Sequence, residues 1–344
     1  MSNELHETAR ALVAPGKGIL AADESSPTIK RRFDTIGLES TADNRRDWRQ
    51  LLFTSEGIGD WISGVILFEE TLAQNASDGR PLVDVLTANG VIPGVKVDKG
   101  AKDLAGSPEE KVTEGLDGLR ERLELYREQG ARFTKWRAVI AIGDGIPTAY
   151  CLDVNAHALA RFAALSQEAG LVPIVEPEVL MDGNHDIAAC AEATAAALRA
   201  TYAALAIQQV DLPGTLLKPN MVLSGKSASD RAAAEVVASE TLRVFKDSVP
   251  AAVPGCVFLS GGQSDEEATV NLDAINRAAA AQGAPWQLSF SYGRGLQATP
   301  LSTWGGKSEN VAAAQATFQQ RARLTSAARK GEYSPEMASA AAAS

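Results

Sequence analysis

Residues 172–221 read VPIVEPEVLMDGNHDIAACAEATAAALRATYAALAIQQVDLPGTLLKPNM. The stretch opens on the apolar run VPIVEPE (172–178) and closes on a second, TLLKPNM (215–221). Their Val, Ile and Leu content suits buried strands. Between them, DIAACAEATAAALRATYAALAIQQ (186–209) sets apolar residues three and four apart, the period of a helix face. Strand, helix, strand is the unit that lets two strands lie parallel.

The same alternation extends in both directions. Further strand-like runs are GILAAD (18–23), GVILF (64–68), GVKVD (94–98), FTKWRAVI (133–140), CVFLSGG (256–262) and LSFSYGR (288–294). Helical spacing recurs in DNRRDWRQLLFTS (43–55), GLDGLRERLELYREQG (115–130), NAHALARFAALSQEAG (155–170) and ENVAAAQATFQQRARL (309–324). Gly130 and Gly170 stand where a left-handed helix cap favours glycine. Ser264 followed by Glu267 predicts a capping box after the seventh run. Eight such units predict an α/β fold, a single-domain (β/α)8 TIM barrel, with an open doubly wound sheet as the alternative. The barrel is expected over 1–333. The small-residue-rich end of the chain, 334–344, is expected to be a short flexible C-terminal tail.

Composition narrows the function. The 344 residues carry a formal net charge of −10, which argues against a nucleic-acid partner but not against a local basic pocket for a small anion. No run is long and apolar enough to span a bilayer, and the first residues, MSNELHETARALVAPGKG, lack the apolar core of a signal peptide. A cytoplasmic location is expected. Cys151, Cys190 and Cys256 are far apart and in no CxxC pair, so reduced buried thiols are expected. His6, His157 and His185 show no ligand spacing, and neither GxGxxG nor GxxxxGK[ST] occurs. No metal and no nucleotide cofactor are therefore expected.

The polar residues inside the runs are the informative ones. In a barrel, alternate strand residues point inward and chemistry collects at the C-terminal strand ends. Asp23 ends the first run, and Lys96, Asp98 and Lys99 end the third. Lys135 and Arg137 lie in the fourth, Glu176 and Glu178 end the fifth, and Lys218 lies in the sixth. Ser260 belongs to the seventh, and Ser291 and Arg294 end the eighth. Strand five runs between four and six, so its glutamates should stand between Lys135 and Lys218. A purely structural network is possible for any one pair, but a buried ion pair stabilises little once its desolvation is counted. A cluster spread over several strand ends points instead to chemistry. A lysine beside other cations in a dry site has a depressed pKa, and its neutral amine attacks carbonyls. Lys218 fits that role with Lys135 and Arg137 nearby, and Lys135 is the rival nucleophile. Nearby carboxylates would move the protons that imine formation needs. Gly261 and Gly262 in LSGGQSDEE, and Arg294 in SYGRG, look like anion handles, since barrel phosphate sites often use the loops after strands seven and eight. Ser25, Thr28, Arg31 and Arg32 offer a second anion site after the first strand, a capped helix with solvated arginines being the plainer reading.

GKGILAADES, GVILFEET, VKVDKG, KWR, IVEPE, GTLLKPNM, FLSGGQS and FSYGRGLQ together resemble class I fructose-bisphosphate aldolases, in family order from Ala14 to Tyr333. The resemblance implies a (β/α)8 barrel, commonly a homotetramer. It implies metal-independent, reversible cleavage of fructose 1,6-bisphosphate to dihydroxyacetone phosphate and glyceraldehyde 3-phosphate through a lysine Schiff base. Its motifs assign Lys218 as the Schiff-base lysine and Glu176 as acid–base in carbinolamine dehydration, with Glu178 in support. They assign Asp23 and Lys135 to the C4 hydroxyl and the charges around the imine. Ser260, Gly261, Gly262, Ser291, Gly293 and Arg294 would bind the C1 phosphate. Ser25, Thr28, Arg32 and Lys99 would lie towards the C6 phosphate, with Arg45 and Arg137 peripheral. Many relatives end in a tyrosine that serves enamine proton transfer, whereas this chain ends AAAAS. Other lysine-dependent barrel aldolases and a scaffold role are the competing readings; two phosphate handles favour a bisphosphate, and the intact lysine–glutamate–aspartate set favours catalysis.

Overall fold

The computed structural model describes residues 2–342. Eight strands carry the architecture: β1 (Gly18–Ala22), β2 (Ile62–Leu67), β3 (Ile92–Lys96), β4 (Phe133–Ile140), β5 (Val172–Val179), β6 (Leu216–Leu217), β7 (Gly255–Phe258) and β8 (Gln287–Tyr292). They close a parallel barrel in which each strand pairs with its neighbours in sequence and β8 returns to β1. The predicted (β/α)8 barrel is the observed fold.

Strand alternation divides the apolar residues between two cores. Val172 and Ile174 of β5 join Ile19, Ala21, Ile66, Phe133, Leu216 and Val257 inside the barrel. The intervening Val175 and Val179 face the helices, as do Trp136 of β4 and Phe258 of β7. Trp136 stacks on Phe162 of the helix Ala149–Glu168 at 5.7 Å between ring centres. The barrel interior also contains Leu5, Ala9 and Leu12 from the first helix, Ser2–Leu12, which closes the N-terminal mouth. Gly94 of β3 leaves room for Phe133, whose ring would lie 2.4 Å from an added Cβ. Apolar packing thus fills the lower barrel, and the inward positions above it are left to polar groups.

Several elements differ from the sequence expectation. The sixth run shrinks to two ladder residues because Pro219 has no N–H to donate; Lys218 N still reaches Val175 O at 2.8 Å. An antiparallel hairpin, Ala101–Leu104 with Ser107–Thr113, follows β3. Its AKDL and SPEEKVT segments are mostly polar and exposed at the tip, so no apolar run announced it. The helix expected from 155 begins at Ala149, where Thr148 caps it, and the helix expected over 309–324 runs Val311–Lys330. The Ser264–Glu267 capping box is present, and Gly130 and Gly170 take φ of 101° and 72°. Within the expected tail a helix spans Pro335–Ala342, and residues 343–344 lie outside the described residues.

Candidate active site

Above the apolar layer, β5 continues its inward column from Ile174 to Glu176 and Glu178. The register sets Leu216 beside Ile174, so Lys218 stands level with Glu176. On the other side Lys135 pairs with Ile174 and Arg137 with Glu176. Glu176 therefore lies between the two lysines. Its Oε1 is 3.2 Å from Lys218 Nζ and its Oε2 is 3.2 Å from Lys135 Nζ. Asp23, from the end of β1, reaches Lys135 Nζ at 2.6 Å. Lys135, Glu176 and Lys218 are all buried. Arg137 pairs with Glu178, and Lys96 Nζ lies 3.1 Å from Asp98.

The electrostatics follow from these distances. Burial favours the neutral form of each group, but opposite charges outweigh it. Burial would lower Lys135, yet Asp23, Glu176 and Asp98 hold its ammonium well above the usual lysine range. Burial would raise Asp23, yet Lys135, Lys218 and Lys96 keep its carboxylate well below the ordinary range. Glu176 is lowered for the same reason, burial being outweighed by Lys135, Lys218 and Arg137. Lys135 is thus a fixed cation facing two carboxylates, whereas Lys218 faces one.

These groups, Asp98 apart, line a cavity of about 250 Å³. Its wall also includes Glu178, Ser25, Thr28, Arg32, Arg137, Ser260, Gly261, Ser291, Gly293 and Arg294. Gly262 lines an adjoining recess with Arg137, Glu178 and Arg294. Three predicted residues fall outside both, Arg31 being exposed with its Nη2 donating to Thr28 Oγ1 at 3.2 Å. Lys99 is turned to Glu69 at 2.8 Å, and Arg45 binds Glu70 through Nε at 2.7 Å and Nη2 at 2.5 Å. Lys96 and Glu24 line the cavity although the sequence reading assigned them no role. Lys96 carried a usable signal, being two residues before Asp98 at a strand end; Glu24, next to Asp23, is out of phase with the inward column. A larger groove of about 600 Å³ between the helices Ala149–Glu168 and Ile187–Ile207 is lined mainly by alanines and other apolar residues and has no comparable cluster.

Among the described residues no group of three or more His, Cys, Asp or Glu side chains is arranged to hold a metal ion. The three cysteines are free and buried. Tyr333 packs on the outer core beside the helix Asp265–Gln282, with its N–H donating to Asp273 at 2.9 Å, and does not line the cavity.

The arrangement can be compared with known proteins. A family model described as fructose-bisphosphate aldolase class-I matches residues 4–344. A protein of Xanthomonas axonopodis pv. citri named probable fructose-bisphosphate aldolase class 1 is 53% identical over 331 residues, which cover 96% of this chain and 98% of that protein. Fructose-bisphosphate aldolase 5, cytosolic, of Arabidopsis thaliana is 54% identical over 332 residues, 96% of this chain and 92% of that one. Among solved structures, the fructose-bisphosphate aldolase of Plasmodium falciparum, crystallised with TRAP and a small-molecule inhibitor, superposes with a TM-score of 0.94 at 50% identity, covering 97% of this chain and 96% of that chain.

Proposed function

The chain belongs to the class I fructose-bisphosphate aldolase family, and from that premise we propose that Lys218 is the residue that forms its Schiff base. The enzyme is a lyase that reversibly cleaves fructose 1,6-bisphosphate to dihydroxyacetone phosphate and glyceraldehyde 3-phosphate, in glycolysis and gluconeogenesis.

One observation carries the choice of lysine. Lys135 is locked as a cation by Asp23 and Glu176, and an ammonium has no lone pair with which to attack a ketone. Lys218 has Glu176 alone within reach, at 3.2 Å. In this reading Glu176 takes a proton from the Lys218 ammonium, the freed amine adds to C2 of the substrate, and Glu176 passes that proton to the departing hydroxyl, which leaves as water. The resulting iminium draws in the electron pair of the C3–C4 bond as Asp23 takes the C4 hydroxyl proton. The aldehyde leaves and an enamine remains. Protonation at C3 and hydrolysis release dihydroxyacetone phosphate and the free amine. Lys135 supplies positive charge beside the reacting centre, and Arg137 holds Glu178 in support. Ser260, Gly261, Gly262, Ser291, Gly293 and Arg294 bind the C1 phosphate; Ser25, Thr28 and Arg32 face the C6 phosphate. No step requires a metal ion.

Borohydride reduction in the presence of dihydroxyacetone phosphate, followed by peptide mapping, tests the assignment. The added mass is expected on Lys218, and its appearance on Lys135 alone would overturn the reading. We further infer a cytoplasmic homotetramer. The support is the resemblance to tetrameric relatives and the cytosolic name of the Arabidopsis protein. A monomer mass in light scattering, or fractionation with another compartment, would contradict it.

A further inference from the structure

A buried arginine stands behind the cavity wall on the β1 side. Glu24 follows Asp23, and its Oε1 accepts from Arg32 and from Gln297 Nε2, the latter at 2.9 Å. Its Oε2 faces Arg49 Nη2 at 2.7 Å. Gln297 is held in turn, its Nε2 donating to Ala21 O at 2.7 Å and its Oε1 accepting from Trp48 Nε1 at 3.1 Å. Arg49, on the helix Ala42–Phe53, is only 2% exposed and does not line the cavity, whereas Glu24 and Arg32 do. Its Nε and Nη1 find no partner among the described residues. Burying a guanidinium so incompletely matched is costly.

The arrangement has a consequence for charge. One carboxylate set between two guanidiniums leaves one net positive charge, and Arg32 is the member that reaches the cavity. We propose that Arg49 is a positioning residue for the C6 phosphate: it shares the charge of Glu24, so that Arg32 is held at the cavity wall without being neutralised. The inference rests on the reading that Arg32 faces the C6 phosphate. Without Arg49, Glu24 pairs with Arg32 alone. The pair is then neutral, and an incoming phosphate must compete with a carboxylate for the same guanidinium.

Steady-state kinetics with fructose 1,6-bisphosphate and fructose 1-phosphate test this, because the second substrate has nothing at the C6 end. Arg49→Met should raise KM for the bisphosphate about tenfold with kcat changed less than about threefold, and move KM for fructose 1-phosphate less than about twofold. Arg49→Lys keeps the charge and should rescue most of that loss. The decisive variant is Arg49→Met combined with Glu24→Gln. It removes both inner charges, leaves Arg32 as the single cation, and should return the bisphosphate KM to within about threefold of the parent enzyme. A merely structural Arg49 gives the opposite: a second buried substitution makes matters worse and harms both substrates alike. Either result overturns the proposal. If Arg49→Met is not recovered folded, Arg49→Lys with Glu24→Gln replaces it; bisphosphate KM at or below the parent value supports the proposal, and a raised one overturns it. Arg32→Ala separates this inference from its premise. Selective bisphosphate loss in Arg32→Ala but not in Arg49→Met removes the role of Arg49 alone, whereas no selectivity in Arg32→Ala removes the assignment of phosphate ends and this inference with it.

Discussion

Two buried lysines separated by a single glutamate side chain take different roles because of what else each one touches. Lys135 meets Asp23 as well as Glu176; among carboxylates, Lys218 meets Glu176. Lys218→Arg should therefore reduce kcat by on the order of a thousandfold or more, since a guanidinium cannot form the imine. Circular dichroism of the variant should be unchanged, and activity within tenfold of the parent would exclude Lys218. Arg294 gives a second prediction. Removing a charge-assisted bond to the C1 phosphate costs about 1.5–3 kcal/mol. Arg294→Ala should thus weaken fructose 1,6-bisphosphate and fructose 1-phosphate to similar extents, in contrast to Arg32→Ala. A loss confined to the bisphosphate would reverse the two ends. The third concerns pH. Asp23 and Glu176 have depressed pKa values in the folded state, so their contribution to stability is present above the ordinary carboxylate range and is lost progressively as pH falls from there towards the depressed folded-state values. Lys135 is raised, so its contribution is already complete at neutral and acid pH. Asp23→Asn should consequently lose less stability than the parent between roughly pH 5 and pH 3, measured by urea unfolding. An unchanged acid slope would mean that Asp23 is not coupled to folding in this way.

At the scale of elements, the two ends of the chain are tied together beneath the barrel. Arg329, near the end of the helix Val311–Lys330, donates to Val13 O at 3.0 Å, Lys17 O at 3.2 Å and Gln287 Oε1 at 2.7 Å. Ser326 donates to Gly16 O one turn earlier. These are groups that follow the N-terminal plug helix, so the last long helix satisfies the backbone just beyond the first. Burial brings the Arg329 guanidinium down to about 10. Arg329→Met should leave the Val13 carbonyl without its donor, at about 1–3 kcal/mol, while Lys17 O still accepts from Ser289, and lower the melting temperature by a few degrees. KM should stay within twofold, because these contacts lie at the mouth opposite the cavity. The helix Pro335–Ala342 belongs to the same scale. Its segment offers Glu336 as the one ionisable side chain and no ring or imidazole. Deleting Met337 to Ser344 should therefore change turnover less than about threefold, under 1 kcal/mol of barrier. Detritiation of labelled dihydroxyacetone phosphate is the sensitive check. A large loss of exchange, in the deletion or in Tyr333→Phe, would assign the enamine proton transfer to the tail rather than to a group of the cavity.

For the molecule as a whole, activity should survive saturating EDTA, because in the proposed mechanism the iminium is the electron sink; loss on chelation and recovery with zinc would contradict it. The barrel itself was legible in the sequence. Every run but GVILF joins apolar residues to polar ones further along, and that pattern is imposed by a closed sheet whose interior is packed at one end and open to a ligand at the other. The convergence of Lys135, Glu176 and Lys218 was legible too, because sequential strands in a parallel barrel are neighbours. The shortened β6 was open to inference from Pro219, but the hairpin after β3 was not, since its polar segments carry no apolar period. What only the tertiary structure decided is which partners each charge receives. Register lifts Lys218 level with Glu176 while Lys135 starts one inward position lower, at Ile174. Barrel closure then brings Asp23 from β1, which shares no ladder with β4, onto Lys135. Stagger and closure depend on how all the strands tilt and pack together, and no spacing within a single run encodes them. The same holds for Arg49, a helix residue whose only sign of purpose is the carboxylate it meets in three dimensions.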